Sequence, residues 1–218
     1  MTGFPQRLLE GYRTFTSQRL PTEQSRYREL SERGQSPEVM VIGCCDSRVS
    51  PEVIFDAGPG ELFVMRNIAN LVPVYQPDSG THGVSAALEY AVTVLRVKHI
   101  VVLGHAQCGG IRAFIDKIEP LSPGDFIGKW MAMFIKPGET VSQRDHETMA
   151  DFTVRIEKAA VFRSLENLMT FPFVRALAER GELRLHGAYF GGKEGSLFVL
   201  DQVAKEFRSV REEARTSS

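Results

Sequence analysis

Little in this sequence is extreme, and each shortage narrows what it can be. Three cysteines in 218 residues are too few for a disulfide framework, which favours a reducing compartment. No apolar run approaches the roughly 20 residues that a membrane-spanning helix needs. The opening residues, Met1 to Arg7, lack the apolar centre of a secretory signal. A formal net charge of −1 gives no reason to expect nucleic acid or an anionic membrane as a partner. Internal repeats, linkers and low-complexity tracts are missing too. A content of 43% hydrophobic and 24% charged residues is that of an ordinary globular chain. The expectation is a soluble, cytoplasmic protein whose residues 1–218 form a single domain with a sizeable core.

Apolar periodicity divides the chain into an N-terminal helical arm, residues 1–34, and an α/β core, residues 35–218. In the arm, Leu8, Leu9, Tyr12 and Phe15 form a stripe; Pro21 breaks the pattern, and a second helix runs from Thr22 to Arg33. An arm of this length often packs on a neighbouring subunit. Strands are predicted at the run starting with Val39, at 62–66, at 99–104 and at 183–189, with 196–200 returning as an antiparallel edge. Helices are predicted at 51–55, 83–95 (capped by Ser79 or Thr81), 111–118, 145–169, from Pro172 to Arg180, and from Val203 to about Arg215. Pro120 to Gly138 reads as irregular.

Two strand ends carry the chemistry. Val39 to Gly43 delivers Cys44, Cys45, Asp46, Ser47 and Arg48; His99 to Gly104 delivers His105, Ala106, Gln107, Cys108, Gly109 and Gly110. Loops at the carboxyl ends of parallel strands are where open α/β sheets place their sites. Side by side, those ends bring Cys44, His105 and Cys108 together. Two thiolates and one imidazole suit Zn2+ and leave a position open, as in catalytic rather than structural sites. Water at such a position has its pKa lowered from about 16 to near 7. Cys45 competes with Cys44, but alternation sends adjacent side chains opposite ways, so Cys45 is expected to be a small buried residue. Asp46 could be a fourth ligand or could orient the nucleophile. Arg48, two residues on, favours the second role by holding the carboxylate off the metal and ionised.

These two segments together resemble the zinc signature of the β-class carbonic anhydrases. The likeness extends through Gly34 to Pro37, Pro59 to Phe63, Arg66 to Asn70, Ser85 to Tyr90 and His186 to Tyr189. It implies reversible hydration of carbon dioxide to bicarbonate and a proton, with one zinc per subunit on Cys44, His105 and Cys108 and an Asp46–Arg48 dyad. It implies four parallel strands plus an antiparallel edge strand, in a homodimer or homotetramer with the active site at the dimer interface. Substrate-binding positions would be Gln35, Phe63, Ile68, Tyr90 and Gly109, none of which stands out without the resemblance. Val41 and Gln35 match the group whose zinc stays open, rather than the group in which the residue matching Asp46 closes it. Ala106-Gln107 and Ala188 to Gly192 depart from the usual pattern near the ligands. Hydrolysis of carbon disulfide or carbonyl sulfide on the same metal, a non-catalytic zinc protein and a Cys44–Cys45 redox pair are the competing readings. Among the other histidines, His82, His99, His146 and His186, nothing selects a proton carrier, and His99 and His186 read as structural.

Overall fold

The computed structural model describes residues 3–117, 119–136, 139–191 and 194–211. Helix α1 (Gln6–Thr14) and helix α2 (Leu20–Arg33) are joined by a π-helical turn, Phe15–Arg19. Pro21 therefore does not break the arm. A proline ring clashes with the carbonyl four residues back in an α-helix, and the wider π turn placed just before it relieves that contact. None of the arm's described residues is buried; Arg26 donates to the Pro59 carbonyl at 3.2 Å. Gly60, at φ +81°, leaves room for Leu30, whose Cδ2 would lie 2.6 Å from a β-carbon there. Phe4, Leu8 and Tyr12 stay exposed.

The core is one sheet of order β2-β1-β3-β4-β5-β6. Strand β1 is Val39–Cys44, β2 Leu62–Asn67, β3 His99–His105, β4 Arg184–Gly191, β5 Ser196–Asp201 and β6 Glu206–Ser209. The first four are parallel and the last two antiparallel. After β1 the chain steps to β2 on one side and then to β3 on the other. This reversal opens a crevice beyond the carboxyl ends of β1 and β3, where such sheets place ligands.

Flanking these strands are α3 (Pro51–Ile54), α4 (Gly83–Glu89), α5 (Gly109–Ile115), α6 (Phe126–Ala132), α7 (Met149–Leu168) and α8 (Pro172–Glu179). A second π turn, Tyr90–Leu95, continues α4 to the predicted end. His82 occupies its N-cap, and neither Ser79 nor Thr81 caps it. Helix α5 ends at Ile115, short of the predicted Ile118, which lies outside the described residues. The stretch read as irregular holds α6, capped by Asp125 on the Gly128 N–H; residues 137–138 lie outside the described set.

The chain past Asp201 departs most from expectation. Residues 203–209 form a turn and strand β6, not a helix, and residues 212–218 of the predicted helix lie outside the described set. Asp201 Oδ1 accepts the N–H groups of Val203 and Ala204, each at 2.9 Å, which turns the chain back on β5. Phe207 then packs against Phe162 and Tyr189, with ring centroids 5.7 and 6.2 Å apart. Among the described residues no helix is long and apolar enough to cross a membrane.

Helix α7, capped by Thr148 on the Asp151 N–H, lies across β3 and β4. Contact is closest at Val161: a β-carbon on Gly104 would meet Val161 Cγ2 at 2.6 Å, and one on Gly187 would meet Cγ1 at 3.0 Å. Arg155 pairs bidentately with Glu147 at 2.7 and 2.8 Å, fixing the approach to this helix.

Two expectations follow. Gly104→Ala should lower unfolding free energy by about 1–3 kcal/mol in urea titrations, because β-branched Val161 has little rotamer freedom to move aside; unchanged stability would refute the close contact. Hydrogen bonding to Arg155 holds the Glu147 carboxyl below its ordinary 4.5, at about 2. The pair's contribution is thus present above pH 4.5 and lost as pH falls towards 2. In Arg155→Met the stability profile should be lower at neutral pH, shallower across that window, and convergent with the parent's at its acid end. Parallel profiles would exclude the linkage.

Candidate metal centre

Parallel pairing of β1 with β3, Gly43 opposite Leu103, brings both predicted chemical segments to one end of the sheet. Cys44, the last residue of β1, is buried; His105 ends β3; Cys108 caps α5. One ligand atom from each lies within 4.8 Å of the others, and the two sulfurs are 3.9 Å apart. Two thiolates bonded at about 2.3 Å to one tetrahedral zinc sit about 3.8 Å apart, so the spacing fits. His105 supplies a second test. Its Nδ1 lies 2.9 Å from the Ala106 carbonyl, which accepts only if Nδ1 carries the proton. Its Nε2 is then a lone pair, buried and without a hydrogen-bond partner among the described residues. An acceptor stranded in the core is costly unless something binds it. The residues present fit a metal ion.

Electrostatics agree. A hydrogen bond shared with Cys108, against the cost of burial, holds the Cys44 thiol well below the ordinary thiol range, with help from His105 and the Ala69 N–H at 3.4 Å. The same hydrogen bond, together with burial, pushes the Cys108 thiol up. Burial opposes protonation of His105, but the nearby Cys44 thiolate raises it overall. A divalent cation would replace those protons.

Asp46 is held by Arg48 on both oxygens: Nε to Oδ1 at 2.9 Å and Nη2 to Oδ2 at 2.7 Å, with the Arg48 N–H also on Oδ1 at 3.0 Å. This pairing holds the carboxyl far below its usual range despite partial burial. Arg48 reaches on to the second segment, donating to the Gln107 carbonyl at 2.8 Å and to Gln107 Oε1 at 3.3 Å. Cys45, expected to be buried, is exposed. Its N–H bonds the Asn67 carbonyl at 2.8 Å as the ladder ends, and its side chain is left at the surface beyond the last strand pair.

Of the other predicted positions, two lie beside the cluster. Gly109 follows Cys108, and Ile68 sits over Gly110, where a β-carbon would meet its Cγ2 at 2.5 Å. Gln35, Phe63 and Tyr90 do not join them. Gln35 is exposed before β1, and Phe63, opposite Met40, is four residues from the Cys44 pairing level, about 13 Å along the strand. Tyr90 is 45% exposed and packs on Phe63 with centroids 5.9 Å apart. His99 and His186 bond one another at 3.0 Å, and His82 bonds Asp78 at 2.7 Å.

Sequence reasoning passed over several supports. Arg66 donates to the carbonyls of Cys44 and Asp46 at 2.7 and 2.8 Å. Ala69 and Asn70 adopt left-handed backbone (φ +62° and +49°), which aims the Ala69 N–H at Cys44. Ser164 and Asn167 of α7 hold that segment through Asn70 and Val72. Glu157, also on α7, accepts the Cys108 N–H at 2.9 Å. A polar stripe inside an otherwise apolar helix face was the available signal.

Comparison with known proteins gives a consistent result. A family model described as carbonic anhydrase matches residues 39–197. A carbonic anhydrase of Pseudomonas aeruginosa is 36% identical over 205 residues, covering 94% of this chain and 91% of the relative. The solved structure of the β-carbonic anhydrase CcaA superposes with a TM-score of 0.84 at 28% identity, covering 94% and 91% of the two chains. A tetrameric β-carbonic anhydrase of Sordaria macrospora gives 0.72 at 29% identity, covering 89% and 95%.

Metal analysis of the purified chain should find one equivalent of divalent ion, and Cys44→Ala should lose it. Stoichiometric metal retained in that variant would remove Cys44 from the ligand set.

Proposed function

The chain belongs to the β-class carbonic anhydrase family, and from that premise we propose that it hydrates carbon dioxide reversibly at a zinc held by Cys44, His105 and Cys108. The observation that carries this reading is the stranded Nε2 of His105 between two buried sulfurs. When bound, the zinc supplies the Lewis acidity that brings a water's pKa from about 16 to near 7. Three protein ligands leave it a fourth position.

Asp46 prepares that position without entering it. A carboxylate offers about four lone-pair sites. The Arg48 donors take two on Oδ1 and one on Oδ2, leaving one on Oδ2 for the attacking water. Because Arg48 keeps Asp46 ionised, the carboxylate accepts the water's remaining O–H and turns the oxygen lone pair towards the substrate carbon. As the new C–O bond forms, one C=O pair moves onto oxygen, giving bicarbonate; the proton of the attacking water passes to buffer. Loss of the Arg48 contacts would free Asp46 to become a fourth ligand.

Ile68 and the start of α5 at Gly109 form the near wall, suited to an uncharged gas. Gln35, Phe63 and Tyr90 sit too far from this chain's own cluster to serve it. In our reading they line the site of a second copy, in a homodimer or a tetramer with active sites at the subunit boundary.

Stopped-flow hydration from about pH 6.5 to 9 should show a zinc-dependent rate that rises with pH. Asp46→Asn should lower it by about 100-fold or more, since an amide cannot accept in the same way. Full zinc with no hydration across that range would refute the proposal and direct assays to carbon disulfide and carbonyl sulfide.

A further inference from the structure

Glu157 is 2% exposed, and among the described residues no lysine or arginine pairs with it. The adjacent Lys158 points elsewhere, its Nζ 5.4, 5.6 and 5.5 Å from the ring centroids of Tyr189, Phe198 and Phe207. A carboxylate buried without a cation is expensive and needs good donors. Glu157 has two: Oε1 accepts the Cys108 N–H at 2.9 Å and Oε2 accepts the Tyr189 hydroxyl at 2.7 Å. Both oxygens therefore act as acceptors, and the bridge ties α7 and β4 to the loop that carries a ligand.

The peptide that joins Gln107 to Cys108 is gripped at both ends. Its carbonyl accepts from Arg48 at 2.8 Å and its N–H donates to Glu157. Gln107 stands in left-handed backbone (φ +57°), a conformation that a non-glycine residue holds only where its surroundings enforce it. A guanidinium on one end of a peptide dipole and a carboxylate on the other are the enforcing pair. Together they set the direction in which Cys108 leaves the backbone.

We propose that Glu157, anchored by Tyr189, is a positioning residue that aims the Cys108 thiolate at the metal. The proposal rests on Cys44, His105 and Cys108 being the ligands. It requires an acceptor at the length of Glu157, not a charge, so Glu157→Gln should preserve it and Glu157→Leu should not.

Zinc affinity by chelator competition and the thiolate-to-metal absorption of the cobalt(II)-loaded chain report on the geometry independently of turnover. Glu157→Leu should bind zinc about 10- to 100-fold more weakly, the range for partners that orient a ligand, with altered cobalt absorption. Glu157→Gln should stay within about threefold of the parent and keep its spectrum. Parental affinity and spectrum in Glu157→Leu, or equal weakening in both variants, would overturn the proposal. Should Glu157→Leu fail to fold, Tyr189→Phe decides: weaker binding with a changed spectrum supports the tether, and no change in either refutes it. A parent chain that takes up neither metal sinks the ligand assignment as well. One that binds zinc but does not hydrate carbon dioxide sinks only the proposed reaction, and the affinities still judge Glu157.

Discussion

The candidate metal centre depends on how closely α7 can lie against the sheet. Gly104 on β3 and Gly187 on β4 have no β-carbon, and Val161 fills the space. A side chain at either glycine would lift the helix. One turn towards the N-terminus from Val161 is Glu157; about one turn the other way is Ser164, with Asn167 beyond. Each of the three satisfies backbone groups of a loop that shapes the cluster. Apolar contact sets the height of the helix, and polar contacts from the same face then place the loops.

The cluster concentrates groups that resist burial, and the chain answers with opposing partners. Arg66 holds the carbonyls on either side of Cys45, Arg48 holds Asp46 and the Gln107 carbonyl, and Ala69 turns its N–H on the Cys44 sulfur. Arg66 acts on two backbone carbonyls and Arg48 reaches a third beyond the Asp46 carboxylate, so they rigidify the loops as well as balancing charge. Among the described candidate ligand atoms, His105 Nε2 is left unanswered, and that gap gives the arrangement its chemical direction.

Much of this was legible in the order of residues. An apolar run ending in glycine and then in thiol, carboxylate and guanidinium is strong punctuation, and its repetition before His105 located both strand ends. The parallel strands and the antiparallel β5 followed from pattern and resemblance. Local reasoning failed where distant contacts decide. Pro21 is accommodated by a π turn that no periodicity announces. Helical propensity after Val203 yields to Phe207, which alternates with Glu206 and Arg208 and finds aromatic rings on α7 and β4. Cys45 alternates away from Cys44 as expected, but what lies beyond the strand end is solvent, which alternation cannot foretell. Glu157 was legible only as part of the stripe it shares with Ser164 and Asn167, since alone an acid between Ile156 and Lys158 looks like any helix position.

The candidate ligands come from segments 64 residues apart, brought together only when β1 and β3 pair. No part of the unfolded chain holds Cys44 near Cys108, and closing so long a loop costs entropy before any contact repays it. The cluster therefore depends on long-range strand pairing rather than on any local segment of the chain. An ion taken up there would lock a loop that the pairing of β1 with β3 has already closed.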